Sequence, residues 1–388
     1  MTSLNRRQFS VLAGAAAMAS WGLPSAHAAD APLVLGMSAP FTGPAAQLGI
    51  QFHQGAKLFL DQYNAQSGQR PVTIRFLDDG YDPERTAANT RQLIQEQVFA
   101  LFGYIGTPTS LAALPLAAAD NVPFFAPFSG AMSLRDPFQR NVFHVRASYN
   151  DETAQIVRHL TTIGNNKIAV FHQNDAYGKA GLDGVTLALA QQKLQPVATG
   201  IVERNSVHVD AAVRAIVAAQ PHAVVQISTY KSCAAFIRAA RKAGFSGSFY
   251  NVSFVGAESL ANELGKDGSG VVVSQVVPSP SSGSSALSRE YQDAMRKAGA
   301  GAGTYASIEG YLAAKVFVEG LKRAKAPTRE GLIAGLESLD RQPFGGFDVT
   351  FTPRSHVGSK FVEMTMLTAD KRVIGLGPHV DPLHPMPA

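Results

Sequence analysis

The sequence predicts an α/β protein of two lobes, each a parallel sheet flanked by helices, and three observations predict it. From residue 33 onward, short runs rich in Val, Ile and Phe alternate with longer amphipathic segments, as in sheets whose parallel strands are joined by helices. The order of elements from 33 to 126 resembles that from 167 to 252. With 388 residues, 46% of them hydrophobic and 16% charged, the chain suffices for two cores at about 150 residues per domain. That balance excludes a disordered, collagen-like or coiled-coil chain.

Nine strands are expected, at Leu33–Ser38, Val72–Leu77, Val98–Phe102, Val122–Ala126, Lys167–His172, Pro196–Val202, Ala223–Ser228, Phe249–Val252 and Val271–Val277. Each is a short β-branched or aromatic run between turn residues. Between them, Gly49–Ala65, Glu84–Gln97, Ser110–Asp120, Asp151–Gly164, Tyr177–Gln192, Val209–Ala219 and Lys231–Gly244 carry the helical period. Pro83 before Glu84, Asn150 before Asp151 and Glu152, and Gly244 after Arg241 and Lys242 are boundary signals. After the connector from Pro278 to Ser285, the helices Ala286–Ala298, Thr304–Ala324 and Arg329–Leu339 precede terminal strands at Gly345–Phe351 and Phe361–Leu367. Crossings between lobes are expected at Val142–Arg146, at the Pro278 connector and near His356–Lys360. Residues 29–145 plus 278–358 would then form the first lobe, and 146–277 plus 359–388 the second.

The first 28 residues read as an export signal. Arg6 and Arg7 precede the apolar run Val11–Leu23, and Ala26-His27-Ala28 offers small residues for cleavage after Ala28. The string Asn5-Arg6-Arg7-Gln8-Phe9 fits a twin-arginine signal, and an ordinary Sec signal is the alternative. The formal charge of +5, with no run of five basic residues, argues against nucleic-acid binding. Cys233 is the only cysteine, so no intramolecular disulfide can form; its apolar surroundings read as core.

The phosphate-loop, nucleophile-elbow and zinc-protease signatures are all missing. Gly299-Ala-Gly301-Ala-Gly303 follows a helix instead of a strand, so it reads as a turn. The histidines are scattered and suggest no metal site. No enzyme, cofactor or metal is therefore expected. What the chain offers is small polar and aromatic residues just after strands, where open parallel sheets bind ligands. These are Thr107, Thr109, Ser129 and Gly130 in the first half, and Tyr177, Tyr230 and Ser253 in the second. Hydroxyls and helix-start amides can neutralise a carboxylate, and tyrosines supply apolar walls with a polar tip. Each also has a plain structural reading, as a cap, a turn or a packing aromatic.

Read together, several strings resemble the leucine/isoleucine/valine-binding type of periplasmic solute-binding protein. They are Leu35 to Pro44, Gly55-Ala56, Asp78-Asp79-Gly80-Tyr81-Asp82-Pro83, Gly103 to Thr107, Val122 to Pro127, Asp175-Ala-Tyr177-Gly178 and Ser307-Ile-Glu309-Gly310. The resemblance implies a type I fold with three crossings and a ligand held between closing lobes. It places the ligand carboxylate at Thr107 and the Phe128-Ser129-Gly130 segment, and tyrosine walls at Tyr177 and Tyr230. The acid that clamps the ammonium in leucine-binding members aligns with Ser253, and the family's disulfide is absent. Either Glu309 or another acid then replaces it, or the ligand lacks an amine. The expectation is a monomeric periplasmic protein that delivers a branched-chain amino acid, or an amine-free carboxylate or amide, to an ABC permease in the inner membrane. A ligand sensor with a signalling partner is the alternative.

Overall fold

The computed structural model describes residues 31–376 with the exception of Ser67; the segment expected to be an export signal lies outside the described residues. Strands β1 (Leu33–Ala39), β2 (Val72–Asp78), β3 (Ala100–Phe102), β4 (Phe124–Phe125) and β5 (Val142–Phe143) form one parallel sheet in the order β2-β1-β3-β4-β5. The helices between them are α1 (Ala46–Asn64), α2 (Pro83–Gln95) and α3 (Thr107–Ala119). The second sheet holds β6 (Ile168–Gln173), β7 (Thr199–Val202), β8 (Ala223–Ile227), β9 (Ser248–Asn251) and β10 (Val272–Gln275). Its helices are α4 (Tyr149–Thr162), α5 (Ala176–Gln191), α6 (Asp210–Ala218), α7 (Tyr230–Lys242) and α8 (Ala257–Leu264).

After α9 (Ala286–Lys297), α10 (Tyr305–Arg323) and α11 (Arg329–Glu337), a two-residue pair forms from β11 (Gln342–Pro343) and β12 (Asp348–Val349). The chain then returns to the second sheet with β13 (Glu363–Leu367) and β14 (Val373–Gly375), both antiparallel, completing the order β14-β13-β10-β9-β8-β6-β7. Thus α9 to α11 intervene between two strands of the second sheet, yet α10 packs on α1 of the first. A Cβ on Gly55 would lie 1.7 Å from the Ser307 carbonyl oxygen, and one on Gly310 would lie 2.0 Å from that of Phe52. Only glycine lets two helix backbones approach so closely.

Several expectations change in detail. Ser148, not Asn150, caps α4, in a reciprocal capping box with Asp151, because the extended backbone of Ser148 turns its hydroxyl onto the free amides. The strand expected over Gly345–Phe351 shrinks to β12, because Gly345 and Gly346 both take positive φ and turn the chain. Helix α8 and strand β14 had no expected counterpart. Among the described residues no helix is long and apolar enough to cross a membrane.

Candidate functional site

Loops at the carboxyl ends of both sheets face each other. In the first lobe, an Ile105–Phe128 bridge extends the pairing of β3 with β4 past the strand ends. It brings Thr107, first residue of α3, to Ser129, with their hydroxyl oxygens 2.8 Å apart and both residues fully buried. The Gly130 carbonyl accepts the Tyr149 amide at 2.7 Å, and a Cβ at Gly130 would stand 2.6 Å from that nitrogen. Thr109 is turned inward: its hydroxyl donates to the Ile105 and Gly106 carbonyls of its own turn. Arg135, buried, donates to the carbonyls of Ser129 and Ala131 and, from its other end, to those of Arg146 and Ala147. It ties the Ser129 loop to the segment that leads into α4.

Tyr81 completes this side. The Asp78 carboxylate accepts from the Thr42 hydroxyl and from the Phe41 and Gly80 amides and pairs with Arg85, and these donors hold it down at about 2 despite partial burial. Asp79 accepts from the Tyr81 amide, which stabilises the unusual φ of +63 at Tyr81. The Tyr81 ring then reaches across to the second lobe, 5.9 Å from Phe254, and its hydroxyl accepts from Gln173.

In the second lobe Tyr177 opens α5 below its cap Asp175, which accepts from the Tyr177 and Gly178 amides. Its ring lies 4.6 Å from Phe254 and 5.3 Å from Tyr149. Phe254 in turn lies 5.6 Å from Phe128 of the first lobe. The Tyr177 hydroxyl is buried without a partner, as are those of Ser228 and Thr229 at the end of β8, whereas that of Tyr149 lies beside Ser129 and Gly130. Tyr230 stands apart, its hydroxyl accepting the Gln47 amide across the cleft at 3.4 Å.

At the base lies a charged network. The Arg146 guanidinium, 1% exposed, sets its Nε 2.9 Å from one Glu309 oxygen and its Nη2 3.2 Å from the other. Nη2 also donates to the Ser253 hydroxyl at 2.8 Å, and the plane stacks 4.2 Å from the Phe128 ring centre. Ser253 passes the chain on: its amide and hydroxyl donate to Glu152, which also accepts from Ser274. Burial pushes Glu309 up to about 7 against the opposing pull of Arg146, and raises Glu152 for the same reason. Nη1 of Arg146 is buried and meets no partner.

The structure thus brings Thr107, Ser129 and Gly130 together, sets Tyr177 opposite them, and joins Ser253 to Glu309 through Arg146. Thr109 and Tyr230 have other partners. The acid sought opposite an amine is present in Glu309, but it is engaged with a guanidinium. Sequence reasoning missed Arg146, Tyr149, Glu152 and Phe254. The available signal was a lone arginine closing the otherwise apolar run Val142–Arg146, where a buried cation demands a partner. Among the described residues no group of His, Cys, Asp and Glu could hold a metal ion.

This two-lobed frame, with open valences between facing loops, is that of a solute-binding protein. The chain belongs to the periplasmic binding protein family, whose model matches residues 32–371. It is similar to a Leu/Ile/Val-binding protein homolog of Brucella melitensis, 26% identical over 183 residues, covering 46% of this chain and 49% of that one. A second homolog, from Brucella suis, is 25% identical and covered to 59%, so the chain spans about half the length of the curated relatives it matches. Among solved structures, a possible leucine/isoleucine/valine-binding protein from Rhodopirellula baltica is 36% identical with a TM-score of 0.85, covering 89% of this chain and 96% of that one. An R. palustris solute-binding protein in complex with benzoate has a TM-score of 0.78 at 18% identity, with coverages of 89% and 96%, and so shares the fold.

Proposed function

We propose that this chain captures a small carboxylate-bearing solute between its lobes, outside the cytoplasm, and delivers it to an ABC permease in the inner membrane. One observation carries the reading: buried polar atoms left without partners, Arg146 Nη1 and the Tyr177, Ser228 and Thr229 hydroxyls among them, gather on the second-lobe side of the cleft, opposite the Thr107–Ser129 pair. Buried polar groups are nearly always bonded, so such a cluster favours a polar solute held among them. Thr107, Ser129 and Gly130 form the first-lobe face, and Tyr177, Tyr230 and Ser253 belong to the second; a branched-chain amino acid or a related acid is the solute class of this reading. The names of the Brucella relatives and the benzoate bound to the R. palustris protein support a small carboxylate.

Contacts across the cleft, such as Gln51 to Ser259 and Asn205 to the Gly80 carbonyl, would break when the lobes part. Protein purified from the periplasm, stripped of solute and titrated with what mass spectrometry identifies in the extract, is expected to shrink in radius of gyration by small-angle scattering. An unchanged radius at saturation would refute capture by closure. Export with cleavage after Ala28 removes Trp21, the only tryptophan, so the periplasmic protein is expected to show no tryptophan emission.

A further inference from the structure

We propose that the cleft selects an acid without an ammonium group, and that Arg146 makes the selection; this rests on the capture reading above. The valences left open include the Arg146 Nη1 N–H, which can only donate, the hydroxyls of Tyr177, Ser228 and Thr229, which adapt to an acceptor, and the amide oxygen of Gln173, whose nitrogen donates to Tyr81 and Asp175. The carboxylates at this place are already engaged. Both Glu309 oxygens meet Arg146, and both Glu152 oxygens are bonded by Ser253 and Ser274. A carboxylate entering here completes Nη1, whereas an ammonium would face a like charge and compete for acids held by other donors.

Arg135 spends its Nη donors on backbone carbonyls and cannot substitute for Arg146. Aromatic rings gather beside these groups: Phe128, Tyr149, Tyr177, Phe254 and Tyr81. Such walls suit a flat or branched apolar body bearing one carboxylate.

Matched pairs test this by calorimetric titration of the ligand-stripped protein: 4-methylpentanoate against leucine, 3-phenylpropanoate against phenylalanine, and benzoate against benzamide. The amine-free acid is expected to bind at least about ten-fold tighter within each of the first two pairs, and benzoate about ten-fold tighter than benzamide. The selection is overturned if either amino acid equals or exceeds its deaminated partner, or if none of the acids binds at millimolar concentration. A neutral solute that closes the lobes would overturn the selection while leaving capture intact. Arg146→Gln should bring the benzoate to benzamide ratio down to about one, a change that lost packing alone would not produce. Arg146→Lys keeps a charge for Glu309, and so guards against a misfolded variant; it should reduce the ratio part of the way. A ratio unmoved in a variant that melts cooperatively would remove Arg146 from the site.

Discussion

Across the cleft, the first lobe presents Thr107 and Ser129 bonded to each other at 2.8 Å, whereas the second presents Tyr177, Ser228 and Thr229 with buried hydroxyls that meet no partner. The first face is finished by its own fold, down to Arg135 fastening the Ser129 loop from behind. The second face finds some partners in its own lobe, as Ser253 does in Glu152, and borrows others from the first. Glu258 at the start of α8 accepts the Tyr305 amide at 3.1 Å, and Tyr230 accepts that of Gln47. A bonded buried group stabilises before any solute arrives, and an unbonded one costs until something pairs with it. The first lobe therefore reads as the preformed half of the site, and the second as the half completed by closure and by ligand.

Substitutions can break this contrast. The largest effect is expected at Gly130, where a methyl group would press on the Tyr149 nitrogen and on its Cδ1 at 2.5 Å. Gly130→Ala should cost about 3 kcal/mol in denaturant unfolding; a loss below about 1 kcal/mol would mean the finished face is pliable. Glu258 comes next. Burial raises its carboxyl to about 7, so the folded state binds this proton more tightly than the unfolded chain does. The stability it contributes below its unfolded pKa is lost as pH rises through about 7. Glu258→Gln keeps an acceptor for Tyr305 and cannot ionise, so its advantage over wild type should grow between about pH 5 and 8, to at most about 3 kcal/mol. A difference in melting temperature that stays flat with pH would show that Glu258 is solvated.

Smaller effects sharpen the contrast between the faces. Thr107→Val removes one of two partners of the buried Ser129 hydroxyl, leaving it the Ala131 amide, and should destabilise by about 1–2 kcal/mol. Tyr177→Phe removes a hydroxyl that is unpartnered in the solute-free fold, so stability should stay within about 0.5 kcal/mol of wild type while affinity falls about ten-fold. If Tyr177→Phe destabilised as much as Thr107→Val, the two faces would be equally finished and the comparison would fail.

Much of the fold was legible because strands and helices write their period into neighbouring residues. The runs at Leu33–Ser38, Val72–Leu77 and Ala223–Ser228 lie within one residue of β1, β2 and β8. Helix α8 escaped because Ala257, Leu260, Ala261 and Leu264 complete little more than two turns, too few for a period to stand out. Thr107, Ser129 and Tyr177 could be proposed from sequence because strand ends, and hence the loops after them, are local features, and the open sheet says which end binds.

Partnership is another matter. Arg146 and Glu309 lie 163 positions apart, and Arg146 and Ser253 lie 107 apart. Nothing local distinguishes Glu309 free to meet an amine from Glu309 held by a guanidinium. The sequence by itself determined the alternation of strands and helices, the glycines that let α1 and α10 touch, and the polar residues that end up beside the cleft. Only the tertiary structure decided which of those groups satisfy one another and which are left open. Hydrogen bonds and ion pairs are short-ranged and directional, so they exist only once the packing of two lobes has placed distant residues within about 3 Å.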